Sequence, residues 1–115
     1  MHRDDRLSEM LEALRTGSLA AAARCFSTGA TYREAHKEAI HGRDAIAAHF
    51  ARFAASAGRW TFAVDELIRD EDRACVVYRF QPRGGEGEPQ RERAGCATVR
   101  LDERGTIAEW REYEG

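Results

Sequence analysis

The hydrophobic period of this chain changes once, at Gly58, and that single change limits what it can fold into. Before it, apolar residues recur at helical spacing; after it, they alternate as they do in strands. Leu7, Met10, Leu11 and Leu14 stand at i, i+3, i+4 and i+7, which predicts a first helix with Asp4 or Asp5 at its start and Gly17 at its end. Ser18 opens a second helix in which Leu19, Ala22, Ala23 and Phe26 repeat the spacing. Its alanine-rich face allows the pair to close as a tight helical hairpin. A third helix follows Gly42 and runs through Asp44 and His49 to Ala57, with Ile46, Phe50, Phe53 and Ala57 as its apolar stripe.

Between the second and third helices, Ser27-Thr28-Gly29 is predicted as a turn, Ala30 to Glu34 as a short extended piece, and Glu38 to His41 as another. Beyond Gly58, Trp60, Phe62 and Val64 alternate with smaller or polar neighbours, and Asp70-Glu71-Asp72 marks a turn into a strand over Ala74 to Gln81. The Gly- and Glu-rich stretch Pro82 to Pro89 is too long for a two-residue turn and is expected as a mobile loop. A strand over Arg91 to Leu101, a turn at Asp102 to Gly105 and a last strand over Thr106 to Tyr113 complete the chain.

Helices first and strands afterwards make an α+β plan, here a curved antiparallel or mixed sheet wrapped around three N-terminal helices in one domain over residues 1–115. A sheet bent over the third helix leaves a cavity at one end, the concave kind of site that small molecules use. Glu34 lies on the bridge between the helical and strand sets and offers an acid to that cavity.

Several function classes are disfavoured by composition. The formal charge is −2 and both signs are interleaved, so there is no electrostatic footprint for nucleic acid. The polar start MHRDDRLSEM does not read as a signal peptide, and no run approaches the roughly 18 apolar residues of a membrane span. A cytoplasmic protein without a membrane partner is expected. Cys25, Cys75 and Cys96 are widely spaced and read as reduced thiols. No spacing of His and Glu matches a metal signature, and neither metal nor other cofactor is expected.

Glu34 and Glu112 are the candidate catalytic acids, each with a large aromatic residue at the alternate position, Tyr32 for the first and Trp110 for the second. A carboxylate against such walls loses hydration, which raises its pKa toward the range useful for acid–base work. Arg33, Arg79 and Arg111 are the nearby cations that could pair with them instead. His49, between Ile46 and Phe53 on the third helix, is the candidate to assist, with His36 and His41 flanking the extended pieces. Tyr78 and Trp60 are candidate wall residues.

The helix entry GRDAIAAHF, the final strand TIAEWREYEG and the overall layout resemble the nuclear-transport-factor-2-like superfamily, which includes SnoaL-like cyclases, ketosteroid isomerases and limonene epoxide hydrolases. The resemblance spans essentially the whole chain and implies a cone-shaped α+β fold of the cystatin-like kind. MLEALRTGSLAAAARCFSTGATYRE resembles, without a gap, the start of the ketosteroid isomerases, which puts Glu34 in the place of their general base. Their two oxyanion donors fall on Met10 and Ala97, neither of which can donate. Losing one such donor typically costs about 2.7 to 4 kcal/mol of transition-state stabilisation, so isomerase chemistry of that kind is not implied. Trp110-Arg111-Glu112-Tyr113 is similar to the last strand of the epoxide hydrolases and puts Glu112 at one catalytic acid. Their earlier Arg-x-Asp pair falls on Val76-Val77-Tyr78-Arg79, which holds no carboxylate.

The resemblance thus implies a ligand site of Met10, Leu14, Tyr32, Phe50, Ala97 and Trp110 around an acid, suited to a small apolar molecule. Two functions follow from it. One is proton transfer on a small apolar or cyclic substrate, as an isomerase, cyclase, dehydratase or hydrolase; the other is non-catalytic binding of a hydrophobic ligand, or a dimerisation module. A homodimer through the outer face of the sheet is expected, with Ile107, Tyr113, Glu109 and Arg111 on that face and Val76, Tyr78 and Phe80 as a second apolar row.

Overall fold

The computed structural model describes residues 5–83 and 92–114. Asp5 starts α1 (Arg6–Thr16) by accepting the Leu7 N–H at 3.1 Å, and it also pairs with Arg69, which ties the helix start to the sheet. Gly17 ends the helix with φ 81°, a left-handed conformation that sends two N–H groups back to its last carbonyls. The second helix, α2 (Leu19–Ala23), is one turn shorter than the spacing predicts. Phe26 is instead the fully buried first residue of β1 (Phe26–Arg33), paired with Ile107. The Ser27-Thr28-Gly29 turn is likewise absent: those residues continue the strand, and a register irregularity between Phe26 and Thr31 absorbs them.

The other boundaries follow the sequence pattern closely. β2 (Ile40–His41) pairs with β1, α3 (Arg43–Ala57) ends at Gly58, and β3 (Arg59–Asp70) turns at Glu71 and Asp72 into β4 (Arg73–Arg83). β5 (Arg93–Leu101) and β6 (Ile107–Glu114) complete a six-stranded sheet in the order β2-β1-β6-β5-β4-β3. All pairings are antiparallel except β1 with β6, so the sheet is mixed. Pro82 and Arg83 belong to β4; the rest of the expected Pro82–Pro89 loop lies outside the described residues.

The sheet wraps its inner face around the helices, and the core forms where Leu7, Met10, Ile46 and Phe50 meet Phe26, Val76, Ala97 and Trp110. Two expectations about the outer face are corrected here. Ile107 and Val76 are fully buried, and Tyr78 and Phe80 point into the cone. Alternation decides this: Tyr78 pairs with Gly95 and Val76 with Ala97, on the same face as Trp110 and Glu112. The convex face instead carries Cys75, Val77, Cys96, Thr98, Arg111 and Tyr113.

Candidate functional site

A cavity of about 350 Å³ opens between α1, α3 and the inner face of the sheet. Aromatic side chains dominate its wall. Phe53 of α3 meets Trp60 of β3 and Phe80 of β4 at ring-centroid distances of 5.4 and 6.0 Å, and Phe62 stacks on Tyr78 at 5.4 Å. Trp60 is fixed by donating its indole N–H to the Leu14 carbonyl at 3.4 Å, which joins the ends of α1 and β3.

Two acidic groups occupy different settings within this wall. Glu34 follows the last residue of β1, and its Oε2 accepts the Tyr32 hydroxyl at 3.0 Å and lies 3.1 Å from His49 Nε2. Lys37 lies 3.4 Å from the other carboxylate oxygen. Burial pushes the Glu34 carboxyl up, but His49, the Tyr32 hydroxyl and Lys37 together hold it below the ordinary value. The expected rise is therefore reversed: the flanking cations and donors outweigh the apolar surroundings.

Glu112 carries the raised pKa instead. It accepts the Trp110 indole N–H at 2.9 Å and the Tyr78 hydroxyl, both neutral donors, and has two acids as neighbours, Glu34 beyond the end of the adjacent β1 and Glu114 at the next alternate position of β6. Burial first, and the charge of Glu34 after it, push the carboxyl up to about 7 against the pull of Trp110. Tyr78 is pushed up as well, mainly by burial, and Tyr32 rises far above its ordinary value for the same reason. Both phenols stay protonated and act as donors.

Met10, Leu14, Tyr32, Phe50 and Trp110 line the cavity with Glu34, Glu112 and His49. Ala97 does not: it is fully buried between Val76 and Glu112 in the sheet register, and its methyl is too short to reach the wall. His36 and His41 are exposed, away from the cavity wall. The three arginines have other engagements. Arg33 donates to the Lys37 carbonyl, Arg79 pairs with Asp65 at 2.9 Å, and Arg111 lies over the Tyr113 ring. Lys37, Arg93 and Glu114 also reach the wall and were not anticipated. Glu114 had a signal, since it alternates with Glu112; Lys37 had none, because its position depends on the turn that follows β1. Among the described residues, no group of three or more His, Cys, Asp or Glu side chains could hold a metal ion, and no helix is long and apolar enough to cross a membrane.

The sequence model of the SnoaL-like domain matches residues 7–110. Comparison with curated proteins returns no match. Among solved structures, a protein of ketosteroid-isomerase-like fold from Catenulispora acidiphila, in complex with trimethylamine, superposes with TM-score 0.80 at 17% identity, covering 97% of this chain and 86% of its own. A limonene-epoxide-hydrolase-like epoxide hydrolase of Mycobacterium tuberculosis gives 0.76 at 18%, with coverage of 95% and 79%. Another M. tuberculosis protein, in complex with estradiol-17beta-hemisuccinate, gives 0.76 at 16%, with 92% and 88%. At such identities the likeness is one of fold.

Proposed function

The chain belongs to the SnoaL-like domain family, and on that premise we propose that its cavity binds a small, mainly apolar molecule with which Glu112 exchanges a proton. One observation carries this: a carboxyl whose pKa is near 7 inside an aromatic cavity of about 350 Å³. Near neutral pH such a group is present in both forms, so it can donate or remove a proton with little cost of preparing either state. Trp110 and Tyr78 aim it by donating to it. Glu34, kept ionised by His49, Tyr32 and Lys37, supplies fixed negative charge that favours the protonated form of Glu112.

The small-molecule part of this reading is supported by the structural neighbours in complex with trimethylamine and with an estradiol derivative. The catalytic part predicts exchange of a ligand's acidic C–H hydrogens with solvent. A thermal-shift panel of steroid-like, terpenoid and polyketide-like ketones would first identify a ligand; deuterium uptake from D2O next to its carbonyl would then report proton transfer. Uptake by the native protein and its loss in Glu112→Gln supports catalysis, whereas binding without uptake by either favours the non-catalytic ligand-binding function.

A second copy is proposed to pair through the convex face of the sheet. Tyr113 is 42% exposed there, beside Val77, Cys75 and Cys96, and the helices cover only the concave side.

A further inference from the structure

The acids of this protein are not partnered alike. Asp5 pairs with Arg69, Asp65 with Arg79, and Glu34 with His49 and Lys37. Glu112 lies in the cavity wall, yet both its hydrogen-bond donors, Trp110 and Tyr78, are neutral. Among the described residues no cation stands within ion-pair distance of it: Lys37 is engaged by Glu34, and Arg93, on the cavity wall, forms no ion pair with it. Its charged neighbours Glu34 and Glu114 share its sign. An enclosed carboxylate without a countercharge is costly, and a cation entering the cavity removes that cost.

The walls suit the same visitor. Trp60, Phe53 and Phe80 form one contiguous aromatic cluster, and Phe62 with Tyr78 forms another beside Glu112. Aromatic faces are electron-rich and attract alkylammonium groups, whose weakly hydrated methyl or methylene surface also gains from apolar burial. From these two features we propose that the cavity's ligand is an organic amine, bound as its ammonium ion between the Glu112 carboxylate and the aromatic walls. It rests on the small-molecule reading above and names the ligand's charge. A ligand that arrives as neutral amine takes the proton of the Glu112 carboxyl onto its nitrogen, leaving carboxylate and ammonium as an ion pair with no other reactant.

The test compares benzyltrimethylammonium with neopentylbenzene, its uncharged isostere, by ligand-observed NMR at pH 6 and pH 8. A permanent cation isolates the titration of the protein. With Glu112 ionising near 7, its charged fraction rises about tenfold over this interval, so benzyltrimethylammonium is expected to bind about tenfold more tightly at pH 8. His49, whose Nε2 lies 3.1 Å from a Glu34 carboxylate oxygen, belongs to the Glu34 pair and is controlled by His49→Gln. Glu112→Gln is expected to weaken the cation at least tenfold at pH 8 and to remove the pH dependence, and Phe53→Leu, at a partly exposed position, to weaken the cation more than the hydrocarbon. Neopentylbenzene binding as tightly as the cation, with the Glu112 variant unchanged, overturns the amine inference and leaves the apolar-pocket reading intact. Failure of both probes to bind overturns both.

Discussion

Trp110 and Glu112, two residues apart on the inner face of β6, are joined by an indole N–H to carboxylate hydrogen bond of 2.9 Å. Neighbouring alternate positions in a strand put both side chains into the cone, and the bond turns the acid toward the cavity while giving it only a neutral partner. The bond thus sets the orientation of Glu112, while burial and the charge of Glu34 raise its pKa against the pull of that bond.

That arrangement makes stability depend on pH with a definite sign. Glu112 in the folded protein titrates at about 7, above the ordinary 4.5, so the folded state holds this proton more tightly than the unfolded chain. Its contribution is most favourable below 4.5 and is lost as pH rises to about 7, a change of roughly 3 kcal/mol if the whole shift is realised. Glu112→Gln, which cannot ionise, is expected to lose less stability than the native protein between pH 5 and 8. Urea unfolding across that range checks it, and parallel curves for the two proteins would count against the raised pKa.

Glu34 shows the opposite sign. Its carboxyl is held below the ordinary value, so its contribution is present above 4.5 and is lost as pH falls through the folded value. His49→Leu removes the neighbour at 3.1 Å and leaves burial opposed only by Tyr32 and Lys37. The Glu34 pKa should then move upward, readable in a carbon-13 carboxyl titration. An unmoved titration would show that His49 is not what holds it down.

These two acids also show what the sequence could and could not tell. Alternation with Tyr32 and Trp110 was enough to place both near one cavity, because strand period fixes the face a side chain takes. It could not decide which acid would be neutralised. That depended on His49 arriving from α3, fifteen residues along the chain, and on the turn after β1 folding Lys37 back onto Glu34, neither of which the strand period specifies. The same limit explains the reversed faces of Val76 and Tyr78. Their alternation fixed a common face, while the direction of that face was settled only by pairing with Ala97 and Gly95. Helix ends were legible because Asp5, Gly17, Gly42 and Gly58 act locally, whereas the early end of α2 reflects the pull of Phe26 into the sheet beside Ile107.

Gly95 predicts a packing requirement. A Cβ there would stand 2.4 Å from the Tyr113 carbonyl oxygen and 3.2 Å from the Tyr78 hydroxyl, so backbone must shift and the phenol that donates to Glu112 must move. Gly95→Ala should cost about 1 to 3 kcal/mol and disturb the Glu112 titration. Gly29→Ala, where a Cβ meets nothing within 4 Å, should stay within about 0.5 kcal/mol of native stability. Equal effects of the two changes in chemical denaturation would refute the close approach.

The proposed pairing of two copies predicts a dimer at micromolar concentration. On the convex face Arg111 lies 5.1 Å from the centre of the Tyr113 ring, presenting an apolar ring and a cation side by side, while Glu109 follows at the alternate position. A two-fold axis through such a strip brings Arg111 of one copy toward Glu109 of the other, the self-complementary pattern that isologous interfaces use. Arg111→Glu replaces that attraction with repulsion and also removes the cation over Tyr113, yet at an exposed position it should leave the fold intact. Sedimentation equilibrium is expected to give dimer mass for the native chain and a weakened dimer for the variant. Monomer mass for the native chain would defeat the pairing, and an unweakened variant dimer would move the interface off this face.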